Sequence, residues 1–240
     1  MVRMYSLMSH HDVNTGSLPG ITRALTTLTA WAAVQGWVLL GPPWALLLVP
    51  VLVFLYVGLF ITAHDAMHGS LAPGRPRVNH ALGTLAAGLY AGFSYRHLKD
   101  RHLRHHVDPT GPTDPDHHRG PGPAWYLAFM WEYATVGQLI RAAAMSWCLT
   151  AFVSEPRVLI AWALPAVLSS VQLFYFGIWR VHHDPPGGWG DDPLKARSET
   201  FSPWWSFLTC WHFGHHREHH AHPHLAWWEL PAAPREPARG

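Results

Sequence analysis

The sequence predicts an all-α integral membrane protein, with four transmembrane helices in two hairpins beneath a histidine-rich helical cap on the cytosolic side. Three observations carry this. Apolar runs of bilayer length fall at about 21–40, 44–63, 134–153 and 158–180. Gly41-Pro42-Pro43 separates the first two runs, and Ser154-Glu155-Pro156-Arg157 separates the last two, so each pair reads as a tight hairpin. Of the 17 Lys and Arg residues, Arg157 alone falls in an outer turn and Arg141 alone within a span. The rest lie on the histidine-rich side or its boundary, which the positive-inside rule makes cytoplasmic.

Taken in order, residues 1–20 are a polar arm carrying His10 and His11, with no signal-peptide cleavage pattern after it. The first hairpin occupies about 21–63, and His64-Asp65-Ala66-Met67-His68 closes its second span. Residues 80–95 are apolar but short and glycine-rich, which suits a re-entrant or interfacial helix. Residues 96–106 are basic and His-rich, and 107–123 form a loop by their Pro and Gly content. The aromatic stretch 124–133 suits the membrane surface. After the second hairpin comes a polar loop over 181–200, a histidine group over 212–224, and a Pro/Ala-rich tail from 231 that is expected to be disordered. Trp31, Trp37, Trp44, Trp125 and Trp179 sit near span ends, as interfacial belts do. The whole chain, 1–240, reads as one membrane domain.

Composition narrows the function. A net charge of +2 is too small to suggest a nucleic-acid partner, and none is expected. Cys148 and Cys210 make no disulfide framework, and Cys148, inside an apolar run, is expected to pack there. There is no GxGxxG nucleotide fingerprint and no nucleophile motif.

The chemistry lies in the histidines. His102-x-x-His105-His106 and His216-x-x-His219-His220 repeat one spacing, and His64-x-x-x-His68 supplies a third group. On a helix, residues i, i+3 and i+4 share a face. Adjacent residues diverge by about 100°, so one ion cannot readily take both His105 and His106, whereas two ions close together can divide them. Eight imidazoles also exceed the four ligands of a tetrahedral zinc site. Both arguments favour a dinuclear centre, whose metal the spacing leaves open. His182 ends the fourth span on the same face and is a ninth candidate, with His212 a further one. Asp65, Asp114, Asp116 and Glu218 are candidates to accept the outer N–H of ligating imidazoles. A metal carrier would bury its ligands at mid-membrane, and no span has a histidine in its interior.

Longer motifs sharpen this. FITAHDAMHGS at 60–70, RHLRHHVDPTGPTDPDHH at 101–118, LFYFG at 173–177 with His182 following, and CWHFGHHREHHAHPHLAWWELP at 210–231 resemble the bacterial β-carotene ketolases of the membrane fatty-acid desaturase/hydroxylase superfamily. The likeness runs from about residue 54 to 231. His215-His216-Arg217 departs from the usual pattern, in which the first position is often aromatic, but leaves H-x-x-H-H intact.

The resemblance implies two Fe ions held by the matched histidines, with O2 as cosubstrate and an external ferredoxin-like protein as electron donor. It implies two successive hydroxylations at the allylic C4 of a β-ionone ring, giving a gem-diol that loses water to become a ketone. β-Carotene would yield echinenone and canthaxanthin, and zeaxanthin would yield astaxanthin. The carotenoid is expected to enter from the bilayer lipids through an apolar tunnel between the spans of a bacterial inner-membrane protein. A lipid desaturase or hydroxylase of the same superfamily is the alternative.

Overall fold

The computed structural model describes residues 16–235 and is helical, with no strand among them. The His10–His11 arm and residues 236–240 lie outside the described residues. Nine helices organise the described residues: α1 (Ser17–Leu40), α2 (Val49–His68, entered through a 3-10 turn at Pro43–Leu48), α3 (Pro76–Leu89), α4 (Tyr95–Val107), α5 (Gly122–Tyr133), α6 (Val136–Thr150), α7 (Glu155–His182), α8 (Pro203–Cys210) and α9 (His216–Ala221).

Helix α2 is the centre of the molecule, packed by α1, α3 and the middle of α7. Its buried face carries Leu52, Leu55, Tyr56, Val57, Leu59 and Ile61. Two helical stretches are long and apolar enough to cross a membrane by length and composition, Pro43–His68 and Glu155–His182. The expected third span, 134–153, forms only the 15-residue α6, about 22 Å long at the rise of an α-helix. Thr135 starts it by accepting a hydrogen bond from the Gln138 amide, and Ala134 before it is extended, so a turn separates it from α5. The stretch 80–95 lies mostly in α3, 14 residues long and too short to span. Cys148 is exposed rather than packed.

Helix α7 contains two π turns, at Leu159–Ala163 and Tyr175–Trp179. The first has a covalent reason. The Ala161 carbonyl would normally accept from the amide of residue 165, but Pro165 has none. Gln35 Nε2 of α1 donates to it instead, at 2.8 Å, and Tyr56 Oη of α2 donates to Gln35 Oε1 at 2.9 Å. One buried amide thus joins three helices. At the far end of the bundle Arg157 donates to the carbonyls of Val38 and Gly41, at 2.8 and 2.6 Å, which brings the 41–43 and 154–157 turns together.

Candidate metal centre

Every histidine in the cluster is placed by a helix end. Helix α2 closes with His64 and His68 one turn apart, and Gly69 ends it in the left-handed conformation at φ +79°. Helix α4, capped by Ser94, carries His102, His105 and His106 on its last two turns. The second π turn leads directly into the final turn of α7, which holds His182. Gly177 in that turn makes the approach of Phe213 possible, since a Cβ there would lie 2.3 Å from the Phe213 ring. Trp211 and His212 take positive φ, reversing the chain into the short α9 with His216, His219 and His220.

These nine imidazoles meet. His64, His68, His102 and His219 present nitrogens within 4.8 Å of one another, as do His105, His182, His216 and His220. His106 joins the first set, with its Nε2 3.1 Å from that of His102 and 2.9 Å from that of His219. The adjacent pairs divide as helix geometry requires: His106 and His219 go to the first set, His105 and His220 to the second. The second set is wholly buried, whereas His68 and His106 leave one edge of the first set half-exposed.

The donor set fits a pair of metal ions. Facing Nε2 atoms stand 2.7–3.1 Å apart, close to the roughly 3.0 Å expected between two nitrogens at right angles on one ion, each about 2.1 Å from it. Outer hydrogen bonds fix several tautomers. His105 Nδ1 donates to Asp114 at 3.0 Å, His182 Nδ1 to the Lys195 carbonyl at 2.8 Å, and His64 Nδ1 to Asp65 at 3.2 Å. Each leaves the inner Nε2 with its lone pair, the form that ligates. Burial, followed by the like charge of neighbouring imidazoles, holds His102, His106, His216, His219 and His220 well below the ordinary 6.5, so they stay neutral.

His105 differs. Burial presses its pKa down, but the carboxylates of Asp116 and Asp114 outweigh that and bring it above 6.5. Asp114 also accepts from the backbone N–H groups of Thr110 and Asp116, at 2.7 and 2.8 Å, so the DPD turn is tied to the ligand it supports. Asp116 sits one step back, its Oδ2 3.8 Å from His105 Nδ1. Burial and the charge of Asp114 raise it to about 6 against the pull of His105.

Two sequence expectations are corrected. His212 is outside both sets: its Nδ1 pairs with Ser206 Oγ at 3.0 Å and its ring stacks on Trp227. The αL turn that reverses the chain faces it away from the cluster formed by α9. Glu218 accepts from the Ser198 hydroxyl rather than from an imidazole. It shares α9 with the ligand candidates but sits between their positions, on a different face.

Sequence reasoning missed other residues of the site. Arg217 forms a buried fork to Asp192, with Nη1 at 2.6 Å, which pins α9 to the 183–202 loop. Tyr133, at the end of α5, donates its hydroxyl to Asp116, and Trp125 Nε1 donates to the Asp116 carbonyl at 2.7 Å. The Trp227 amide donates to Asp65 at 3.0 Å. A tyrosine or tryptophan among 14 Trp and 7 Tyr residues carries no spacing signal.

Two adjoining cavities lead away from the imidazoles. The inner one touches His102, His216, Asp116, Tyr133 and Phe213. It shares Phe60, Leu98, Phe129, Tyr133 and Leu173 with an outer cavity that reaches Tyr90, Phe93 and Met130. Phe93 also borders an open groove between α3 and α6.

Comparison with known proteins agrees with this geometry. The fatty acid desaturase family matches residues 41–146 and 130–239. The chain is 42% identical over 221 residues to a β-carotene ketolase of Paracoccus sp. strain PC1, covering 88% of this chain and 90% of that one. It is 44% identical over 184 residues to a β-carotene ketolase of Paracoccus sp. strain N81106, covering 75% of each. A zeaxanthin 4-ketolase of Chlamydomonas reinhardtii is 40% identical over 243 residues, with 93% of this chain aligned to 54% of that longer protein. The chain belongs to the fatty acid desaturase family and, within it, to the β-carotene ketolases, which are oxidoreductases.

Proposed function

We propose that this chain is a carotenoid 4-ketolase that oxidises the C4 methylene of a β-ionone ring to a ketone. The observation that carries the reading is the convergence of nine imidazoles beside an apolar slit. His64, His68, His102, His106 and His219 would hold one iron, and His105, His182, His216 and His220 the other. When bound, the di-iron centre supplies activation of O2.

The chain's own residues do the rest. Asp114, Asp65 and the Lys195 carbonyl hold imidazole protons on Nδ1 and keep the inner nitrogens as ligands. Phe60, Leu98, Phe129 and Leu173 exclude water and accept the ring by burial of apolar surface. The groove beside Phe93 gives the long polyene a route from the lipid between α3 and α6. Each oxidation consumes one O2, two electrons and two protons, places one oxygen on C4 and releases one water. The gem-diol then loses a third water to leave the ketone. The sequence carries no GxGxxG nucleotide fingerprint, and in this reading electrons come from a separate ferredoxin-like protein.

In this reading α1, α2 and α7 cross the bilayer, and the 15-residue α6 enters it as the short arm of the second hairpin. The bonds from Arg157 to Val38 and Gly41 support both turns lying on one face, with the histidines on the other. The cationic residues of the histidine side support a cytosolic orientation in a bacterial inner membrane. The test is expression in β-carotene-producing bacteria, with β-carotene and zeaxanthin compared side by side. Keto products identified by mass, together with a shift to red-orange, are the expected result. Unchanged carotenoid with altered acyl chains would assign the protein to lipid desaturation or hydroxylation instead.

A further inference from the structure

Among the residues lining the inner cavity, polar side-chain atoms are few. Apart from the imidazoles of His102 and His216, they belong to Asp116 and Tyr133 alone. The remaining walls are Phe60, Met67, Leu98, Phe129, Leu173, Ile178 and Phe213. A slit built to take a hydrocarbon ring has no need of a carboxyl–phenol pair. Both groups are buried, and the Tyr133 hydroxyl donates to Asp116 Oδ1. Asp116 is itself anchored by its backbone to Asp114 and Trp125. The pair is therefore fixed at the histidine end of the slit, and Tyr133 alone continues into the outer cavity.

The proposed reaction passes through a species that differs from its starting ring by one hydroxyl at C4. That alcohol must stay in place with the same carbon presented for a second oxidation. In an apolar slit its hydroxyl would lose its water partners with nothing in exchange. We propose that Tyr133 and Asp116 form a polar hook that accepts the hydrogen bond of the C4 hydroxyl and retains the ring between the two oxidations. Tyr133 keeps free lone pairs after donating to Asp116, so the alcohol O–H has an acceptor there or on the carboxylate. The hook serves the second substrate and does nothing for the first, which has no hydroxyl at that carbon. It rests on the ketolase reading and refines it.

The test measures product ratio rather than total activity. Wild type and Tyr133→Phe are supplied with β-carotene in membranes, and 4-hydroxy and 4-keto products are quantified, with iron content measured on the same samples. Tyr133→Phe deletes one oxygen and keeps the ring. The expected result is that it retains iron and raises the alcohol-to-ketone ratio about ten-fold, the worth of one hydrogen bond. Its KM for a supplied 4-hydroxy carotenoid should rise by a similar factor, and by much less for the unsubstituted ring. Asp116→Asn, tested in parallel, should move the ratio in the same direction. An unchanged ratio at lower turnover, or equal KM changes for both rings, would overturn the hook and leave the ketolase reading standing. A wild type that forms no keto product would remove the reading beneath it.

Discussion

His106 Nε2 lies 2.9 Å from His219 Nε2, while their chain neighbours His105 and His220 face each other at 3.1 Å on the other side of the cluster. Two short helices, α4 and α9, thus each contribute to both halves of the centre. The stacked rings of His106 and His220, 4.3 Å between centroids, form the seam between the halves. A pattern of two adjacent histidines is what lets one helix serve two ions.

This division makes single-ligand variants informative. Replacing His105 or His219 by Ala should abolish ketone formation, by more than about 100-fold, while the protein still inserts in the membrane. Elemental analysis should find iron reduced by about half or more, since ligand loss removes binding free energy from one site and a shared wall from the other. Retained turnover in either purified variant would exclude that residue as a ligand.

Asp114→Ala removes the acceptor of His105 Nδ1 without touching a metal-facing nitrogen. Iron affinity should fall about 10–100-fold, the usual cost of losing such a partner. Titration with a competing chelator measures this. An affinity equal to wild type would show that the DPD turn, not the hydrogen bond, orients the ring.

His212→Ala is the contrasting case. With its Nδ1 on Ser206 and its ring on Trp227, it should leave iron content unchanged and activity within about three-fold of wild type. Loss of iron in this variant would return His212 to the ligand set.

The metal-free protein should lose stability on acidification. Five imidazoles of α4 and α9 are held below 6.5, so below that pH the unfolded chain takes up protons that the folded chain refuses. His105, raised by Asp116 and Asp114, and Asp116, raised to about 6, work in the opposite direction but are two groups against five. The thermal midpoint of chelator-treated protein should therefore fall steadily as pH drops from about 7 to 5. A flat or rising midpoint would mean that water reaches the cluster.

Gln35→Leu tests the joint between α1, α2 and α7. It strands the Ala161 carbonyl beside Pro165 and leaves Tyr56 Oη without its acceptor. A loss of about 1–3 kcal/mol is expected for a buried group left unpaired. Thermal unfolding in detergent checks it, and a variant as stable as wild type would show that the bundle relaxes to pair the carbonyl elsewhere.

The helical fold, the loops at 107–123 and 181–200, and the histidines to watch were legible because each leaves a periodic or compositional mark. Apolar runs give long helices, and H-x-x-H-H gives a helix face with a divided pair of imidazoles. The sequence by itself thus determined which imidazoles are available and that they suit two ions rather than one. The tertiary structure alone decided which imidazole joins which set, that His212 is excluded and that Glu218 is taken by Ser198. It alone brought Tyr133 of α5 to Asp116 of the DPD turn and Arg217 to Asp192. These pairings join residues 17 and 25 positions apart, and no local period connects them. Their partners are chosen by how short helices and irregular loops pack around α2, and that packing is a property of the whole chain.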